Sequence, residues 1–327
     1  MKKVALFTTM VLALAIAAGA QETLTGSETN DFQLQAGQQD DPSGPPMLGL
    51  AWPPGSPEYE QQLQLQGGLP NQYMYWHGGQ VMPQTKVTAI FWGKRWNNNN
   101  YVSDKIQGLD DWYAGFGNSN YAATSNEYRG SNGQVTSNVT YAGHIVDLTQ
   151  ASPGYSPARI LAEVCNQIGN NPDPSGLGYY PVYTDISRPN GTIYCAYHSW
   201  GSCPGNNTIL QFAFFWSLDG PGGAGKGDAC TVLHKDQELG HSLQLAALSD
   251  YSGHEISEAR TDPNSKNGRR GWYDLGGNEN GDKCLGVFGG PVTFSNNTQW
   301  IIQSEWSNLA YYRQSGIGRW KGCLQGQ

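Results

Sequence analysis

Lys86-Val-Thr-Ala-Ile-Phe-Trp92 is an apolar run that predicts a buried strand, broken by Gly93. From Tyr101 to Phe116, Ile106, Leu109 and Tyr113 recur at helical spacing and predict a helix. Tyr141 to Leu148 reads as a strand. Ser156 before Pro157 marks a helix start, and an amphipathic helix follows from Ala158 to Ile168. Further strands are expected at Tyr180–Ile186, Thr192–His198 and Ile209–Trp216. The longest helix should run from Leu239 to about Thr261, stopped by Pro263. Glycines punctuate 268–290, which reads as loop. Gln299 to Trp306 is a late strand, paired through a turn at Asn296-Asn297. There is no internal repeat. Irregular alternation of strands and helices predicts an α+β fold, with a mixed sheet packed on the long helix.

The front of the chain has a different pattern. Two lysines precede an apolar run that ends in Ala18-Gly19-Ala20, so residues 1–20 are expected to be a secretory signal peptide. The run is short for a span of ~20 residues, and no later segment matches it. The mature protein is therefore expected to be secreted, with no membrane association after cleavage. Residues 21–70 are rich in Gln, Gly, Pro, Ser and acids and predict a disordered leader or linker, with a propeptide as the functional alternative. A single domain should fill 71–327.

Composition narrows the class. Charge is −8, and loss of Lys2 and Lys3 with the signal peptide makes it −10. An acidic chain repels phosphate backbones, which excludes nucleic acid as the expected partner. Only 14% of residues are charged, while there are 43 Gly, 11 Trp and 18 Tyr, the profile of a loop-rich, aromatic-rich extracellular domain. All six cysteines follow the signal peptide, and an even count in an exported chain predicts disulfides. Cys195–Cys203, which closes a short loop, is the expected pair. No C-x-x-C pair offers a cysteine zinc site.

The candidate chemistry lies in the long helix, within Tyr251-Ser-Gly-His-Glu-Ile-Ser-Glu-Ala-Arg-Thr-Asp-Pro263. Residues four apart on a helix differ by about 40°, so His254 and Glu258 can address one ion. Glu255 sits about 100° round, where a helical H-E motif places a general base. Leu245, Leu248, Ile256 and Ala259 form an apolar stripe that should anchor the helix while its polar face meets a cleft. Asp262 lies about 12 Å along the axis from His254 and is a poor third ligand. Glu279, in the loop Gly277-Asn-Glu-Asn-Gly-Asp-Lys-Cys284, is the better candidate, with Asp282 orienting the His254 ring. One His and two carboxylates fit zinc and leave room for manganese or calcium.

Other signals rank lower. His234, Glu238 and His241 share one helical face, but Gly240 weakens that helix, and they stand as the rival metal site. Gly240-His-Ser-Leu-Gln244 resembles the start of a nucleophile elbow without its final Gly. His198 follows Cys195 and could approach the cleft, but ranks first as a structural residue of a disulfide loop, and His77 takes a place in a turn. Asn138, Asn190 and Asn206 fit N-x-Ser/Thr.

Gly253-His-Glu-Ile-Ser-Glu258, Thr261-Asp-Pro263, Gly271-Trp-Tyr273 and Glu279-Asn-Gly-Asp-Lys-Cys284 resemble the phosphate-induced, EXORDIUM-like family and its bacterial secreted relatives. Tyr75-Trp-His-Gly-Gly-Gln-Val-Met82, Thr88-Ala-Ile-Phe-Trp-Gly-Lys-Arg-Trp96 and Ile302-Gln-Ser-Glu-Trp-Ser-Asn308 agree, so the likeness runs from Tyr73 to Asn308. It is strong at the helix and its loop and weak between them. The resemblance implies a single zincin-like domain with an active-site helix, carrying His254, Glu255, Glu258, Glu279 and Asp282. Arg260 departs from the pattern, where an aliphatic residue is more usual. The bacterial relatives are read as metallopeptidases, and the plant members are associated with wall growth. The expected activity is therefore a zinc-dependent hydrolase acting on protein or peptide substrates. His254, Glu258 and Glu279 would hold the metal and Glu255 would activate water. The alternative is a non-catalytic extracellular protein with a structural ion, closed by Asp262 or Asp274, and an aromatic surface for cell-wall polysaccharide.

Overall fold

The computed structural model describes residues 45–68, 73–220, 227–231, 236–263 and 268–326. The expected signal peptide, the leader as far as residue 44, and His234 lie outside the described residues.

Six strands make one mixed sheet: β1 (Leu48–Ala51), β2 (Thr85–Trp92), β3 (Val139–Asp147), β4 (Gly178–Ser187), β5 (Ala196–Ser202) and β6 (Ile209–Ser217). Their order is β1-β5-β6-β4-β2-β3. β2 runs parallel to β3 and β4, and β4 runs parallel to β6. β5 is antiparallel to β6, and β1 is antiparallel to β5. The near-continuous apolar runs of β2 and β6 suit strands buried on both faces.

Helices cover both faces of the sheet. After α1 (Pro57–Gly68), α2 (Lys105–Phe116) connects β2 to β3, and α3 (Pro157–Gln167) connects β3 to β4. α4 (Leu243–Thr261) lies beside α2. Tyr183 of β4 links the two, its hydroxyl 2.8 Å from that of Tyr113 on α2 and 2.6 Å from Ser252 Oγ on α4. α3 takes the opposite face. There Leu161 fills the space above Gly201 of β5, where an added Cβ would come within 2.2 Å of Leu161 Cδ2. Successive strand residues alternate faces, so the position three residues earlier, His198, points at α4.

The Ser242 hydroxyl accepts from Leu245 N–H and caps α4, and Asp262 N–H closes the last turn on Glu258 O. The expected apolar stripe is buried, but so is every residue from Gln244 to Thr261. Among the described residues β1 and the segments around 271–285 and 300–306 pack over the polar face, so the expected cleft is largely covered.

Three expectations are corrected. The disulfides are Cys165–Cys203, Cys195–Cys230 and Cys284–Cys323, not Cys195–Cys203. Cys195 and Cys203 flank the whole of β5, and a strand of that length holds its ends roughly 23 Å apart, far beyond disulfide reach. Second, residues 45–68 of the expected leader carry β1 and α1. Met47, Leu48, Leu50, Ala51 and Trp52 are all buried, an apolar cluster that the average composition of a polar segment conceals. Third, the late strand is split into Gln299–Trp300 and Glu305–Trp306. Between them Ile301 and Gln303 donate their N–H groups to the Asp236 and Asp250 carboxylates (2.6 and 2.5 Å) instead of to a strand. The α+β assignment holds. Three disulfides fit an oxidising, extracellular environment. Among the described residues no helix is long and apolar enough to cross a membrane.

Arg260 points away from His254 and is fully buried. It donates to the Ala122 and Thr136 carbonyls (3.1 and 2.7 Å) and sits within electrostatic reach of Glu305. Glu305 in turn accepts from Ser125 (2.8 Å) and Ser257. Arg260→Leu leaves that buried carboxylate without its countercharge and should destabilise the protein by about 3–5 kcal/mol. Urea unfolding measures this, and adding Glu305→Gln should recover part of the loss.

Candidate metal centre

α4 sets His254 and Glu258 one turn apart, with His254 Nε2 3.2 Å from Glu258 Oε1. The glycine-rich segment after it folds back onto the helix. Asp274 Oδ1 accepts from the N–H groups of Gly276 and Asn278 (2.8 and 3.0 Å), and Lys283 Nζ holds Asp274 Oδ2 at 2.8 Å. Cys284–Cys323 anchors the far end. Gly281 lies against the His254 ring, where a Cβ would come within 2.8 Å of both Glu258 Oε1 and His254 Nδ1. This close approach brings Asp282 N–H to Glu258 Oε1 (3.0 Å) and Asp282 Oδ1 to 3.7 Å from His254 Nε2.

β5 supplies a second imidazole. His198 Nε2 is 3.1 Å from Glu279 Oε2 and 3.9 Å from Glu258 Oε2. The structure therefore gathers two groups able to hold a cation, His254/Glu258/Asp282 and His198/Glu258/Glu279. Two ligands on one zinc, at bonds of about 2.0–2.1 Å and a tetrahedral angle, lie about 3.3 Å apart. The distances of 3.1, 3.2, 3.7 and 3.9 Å cluster around that value.

The electrostatics also fit a cation. Burial, as the largest cause, pushes His254 down to about 4 and His198 to about 3, so both rings are neutral, the form that binds metal. Burial first, then neighbouring carboxylates, pushes Glu255 and Glu258 well above the usual carboxylate range. Asp282 rises to about 8 for the same two causes. Among the described residues, Glu258 Oε2 and both Glu255 oxygens are buried without a hydrogen bond. Arg270 brings a positive charge, and divides it between Asp262 (2.7 Å) and Glu279 (3.0 Å). Carboxylates buried this close together are stable when ionised only around a compensating positive charge.

β1 closes the site from above. Gly49, at φ +52°, passes so close that a Cβ would meet Glu258 Oε2 at 1.8 Å and His198 Nε2 at 2.9 Å. Only glycine fits there. Ser199 Oγ donates to Pro46 O (2.6 Å), and Cys195 N–H donates to Ala51 O (2.7 Å). On α1, Gln62 Nε2 donates to Asn278 Oδ1 and Asp282 O (3.0 and 3.3 Å). A small cavity lined by Gly49, Gln62, Arg270, Asn278, Glu279 and Asp282 remains beside the strand.

All four residues expected around the metal are present in this cluster, but grouped differently. Asp282 stands with His254 and Glu258, whereas Glu279 faces His198. Glu255 follows His254 on the helix and lies within electrostatic reach of Asp282 and Glu279. His198, which the sequence ranks first as a structural residue, stands at the cluster: a lone histidine on a strand, 56 residues before His254, carries no spacing signal, and only the alternation of faces along β5 aims it at α4. Asp262 and Asp274 are engaged by Arg270 and Lys283. His241 pairs with Asp236 and stacks on Trp300, its ring centroid 4.4 Å away, so this histidine of the rival site is committed to packing, while Glu238 is exposed. His77 follows a two-residue strand and stacks on Tyr273 at 3.5 Å. Ser242 is a helix cap.

No known family pattern and no curated protein matches this chain.

Gln303 supports the His254 ring: its Nε2 donates to Gly281 O (2.8 Å) and lies 3.1 Å from His254 Nδ1. The amide nitrogen can only donate, so Nδ1 is the acceptor in this contact, and Gln303 fixes the orientation of the ring. Gln303→Leu removes the contact that orients the ring and should weaken zinc affinity by about 10- to 100-fold, read by competition with a chromophoric chelator. Unchanged affinity would mean that Gln303 does not position the His254 ring for a metal.

Proposed function

We propose that this chain is a secreted, metal-dependent hydrolase of peptide bonds, of the zincin-like and EXORDIUM-like kind that its helix and loop resemble. The observation that carries this reading is the buried cluster of two neutral imidazoles and three carboxylates at ligand spacing, with Glu258 Oε2 left without a hydrogen bond. His254, Glu258 and a carboxylate of the returning loop, Asp282 or Glu279, would hold the ion. Zinc is the first candidate, with manganese or calcium open to the same donors. A bound divalent ion would supply Lewis acidity toward a carbonyl and toward water. Glu255, the residue after His254, takes the proton from the attacking water and delivers it to the leaving amine as the C–N bond breaks. Arg270 steadies Glu279 and Asp262, and the apolar stripe of α4 fixes the helix against the sheet.

Glu255→Gln keeps the shape and removes the base. Peptide hydrolysis should fall by about 100- to 10,000-fold while elemental mass spectrometry finds the metal content unchanged. Activity that survives this substitution would refute the role of Glu255.

One observation favours a second reading, a structural ion in a non-catalytic wall-binding protein. Among the described residues β1 covers the cluster, leaving a small cavity beside the strand where Glu279 and Asp282 are reached. Under the hydrolase reading, residues 46–52 must leave the β5 edge before catalysis, as a propeptide would. Leu50→Asp puts a charge beneath the segment without altering any ligand or Gly49. Hydrogen exchange across 46–52 should accelerate, and hydrolysis of a mixed peptide library should rise at least about tenfold over wild type. Faster exchange with no hydrolysis would favour the structural ion.

A further inference from the structure

Glu258 belongs to both ligand groups, and its two oxygens face different imidazoles. Oε1 lies 3.2 Å from His254 Nε2, and Oε2 lies 3.9 Å from His198 Nε2. We propose that Glu258 is a bridging carboxylate and that the centre holds two divalent cations, one among His254, Glu258 Oε1 and Asp282, the other among His198, Glu258 Oε2 and Glu279. The proposal rests on the metal-centre reading above and extends it to a second site on β5.

Three observations support it. First, each group offers one imidazole nitrogen and two carboxylate oxygens, all within a single ion's reach, and the two groups have only Glu258 in common. A carboxylate using one oxygen per ion suits the spacing of about 3.5–4 Å found in two-metal sites. Second, Glu258 Oε2 is fully buried and accepts no hydrogen bond among the described residues, although Oε1 accepts from Asp282 N–H at 3.0 Å. An ion at the second position gives that oxygen its partner. Third, Glu255, Glu258, Glu279 and Asp282 carry four negative charges when ionised, and the Arg270 charge is shared with Asp262. Two divalent ions balance four charges, whereas one leaves half of them buried and uncompensated.

The two positions differ in support. His254 Nδ1 has Gln303 beside it at 3.1 Å, while His198 Nδ1 finds no hydrogen bond among the described residues. The Gln303 contact fixes the His254 ring before an ion arrives, whereas His198 Nδ1 has no such restraint, so the His254 position fills first and the His198 position second.

The test uses the full-length secreted chain, stripped with chelator and titrated with Zn²⁺. Bound metal is counted by elemental mass spectrometry after gel filtration, and a parallel Mn²⁺-loaded sample is examined by electron paramagnetic resonance. Wild type should take up two ions in two phases, the second at least about tenfold weaker, and His198→Ala should take up one. The Mn²⁺ sample should show an exchange-coupled pair, a readout that needs no variant and so stands even if His198→Ala fails to fold. One ion in both proteins, with an uncoupled Mn²⁺ spectrum, would overturn the second site and leave the single-metal reading intact. No ion in wild type would overturn both.

Discussion

The arrangement of this molecule turns on carboxylates removed from water around two uncharged imidazoles. Glu255, Glu258, Glu279 and Asp282 lie in or beside the same few ångströms of buried space. Isolated burial of one ionised carboxylate is costly, and burial of several together is costlier. The surrounding structure holds the cluster in place. α4 is pinned between sheet and loop, Cys284–Cys323 fixes the returning segment, and Gly49 and Gly281 allow backbone to approach where no side chain fits. Held this closely, the carboxyl groups favour their neutral form, and a cation bound among them would offset the cost of ionising them.

The sheet supplies what the helix lacks. A single helical turn can present His254 and Glu258 to one point, but further ligands must arrive from elsewhere. The loop after α4 brings two carboxylates, and β5 brings His198 because it runs antiparallel beside β6 with alternate residues turned toward the helix. β5 would be the edge of the sheet if β1 were absent, and an open edge accepts another extended chain. The strand that protects this edge is the one that covers the cluster of imidazoles and carboxylates, so access and edge pairing depend on the same contact.

Much of this was legible in the sequence. The apolar runs of β2, β4 and β6 and the periodicity of α2, α3 and α4 placed these elements to within a few residues, since burial on the sheet dictates such patterns. His254 and Glu258 were marked by helical spacing, and Glu279 and Asp282 by an acidic, glycine-rich loop. Long-range partners were not legible. Nothing local to Cys195 indicates Cys230, and nothing near His198 indicates Glu279. β1 was hidden because four strand residues inside a polar segment carry no period, and their burial depends on a partner almost 150 residues away. The grouping of Asp282 with His254 follows from the tight turn at Gly281, a backbone detail that residue spacing does not encode.

The most direct test of the central claim is anomalous X-ray scattering from crystals of zinc-supplied protein, with data on both sides of the zinc absorption edge. A cation-centred cluster predicts an anomalous peak about 2.0–2.2 Å from His254 Nε2 and from an oxygen of Glu258. If ordered density there is water with no anomalous signal, and the carboxyl groups are joined by short hydrogen bonds through shared protons, the cluster is a buried acid network and the metal-centre account is wrong.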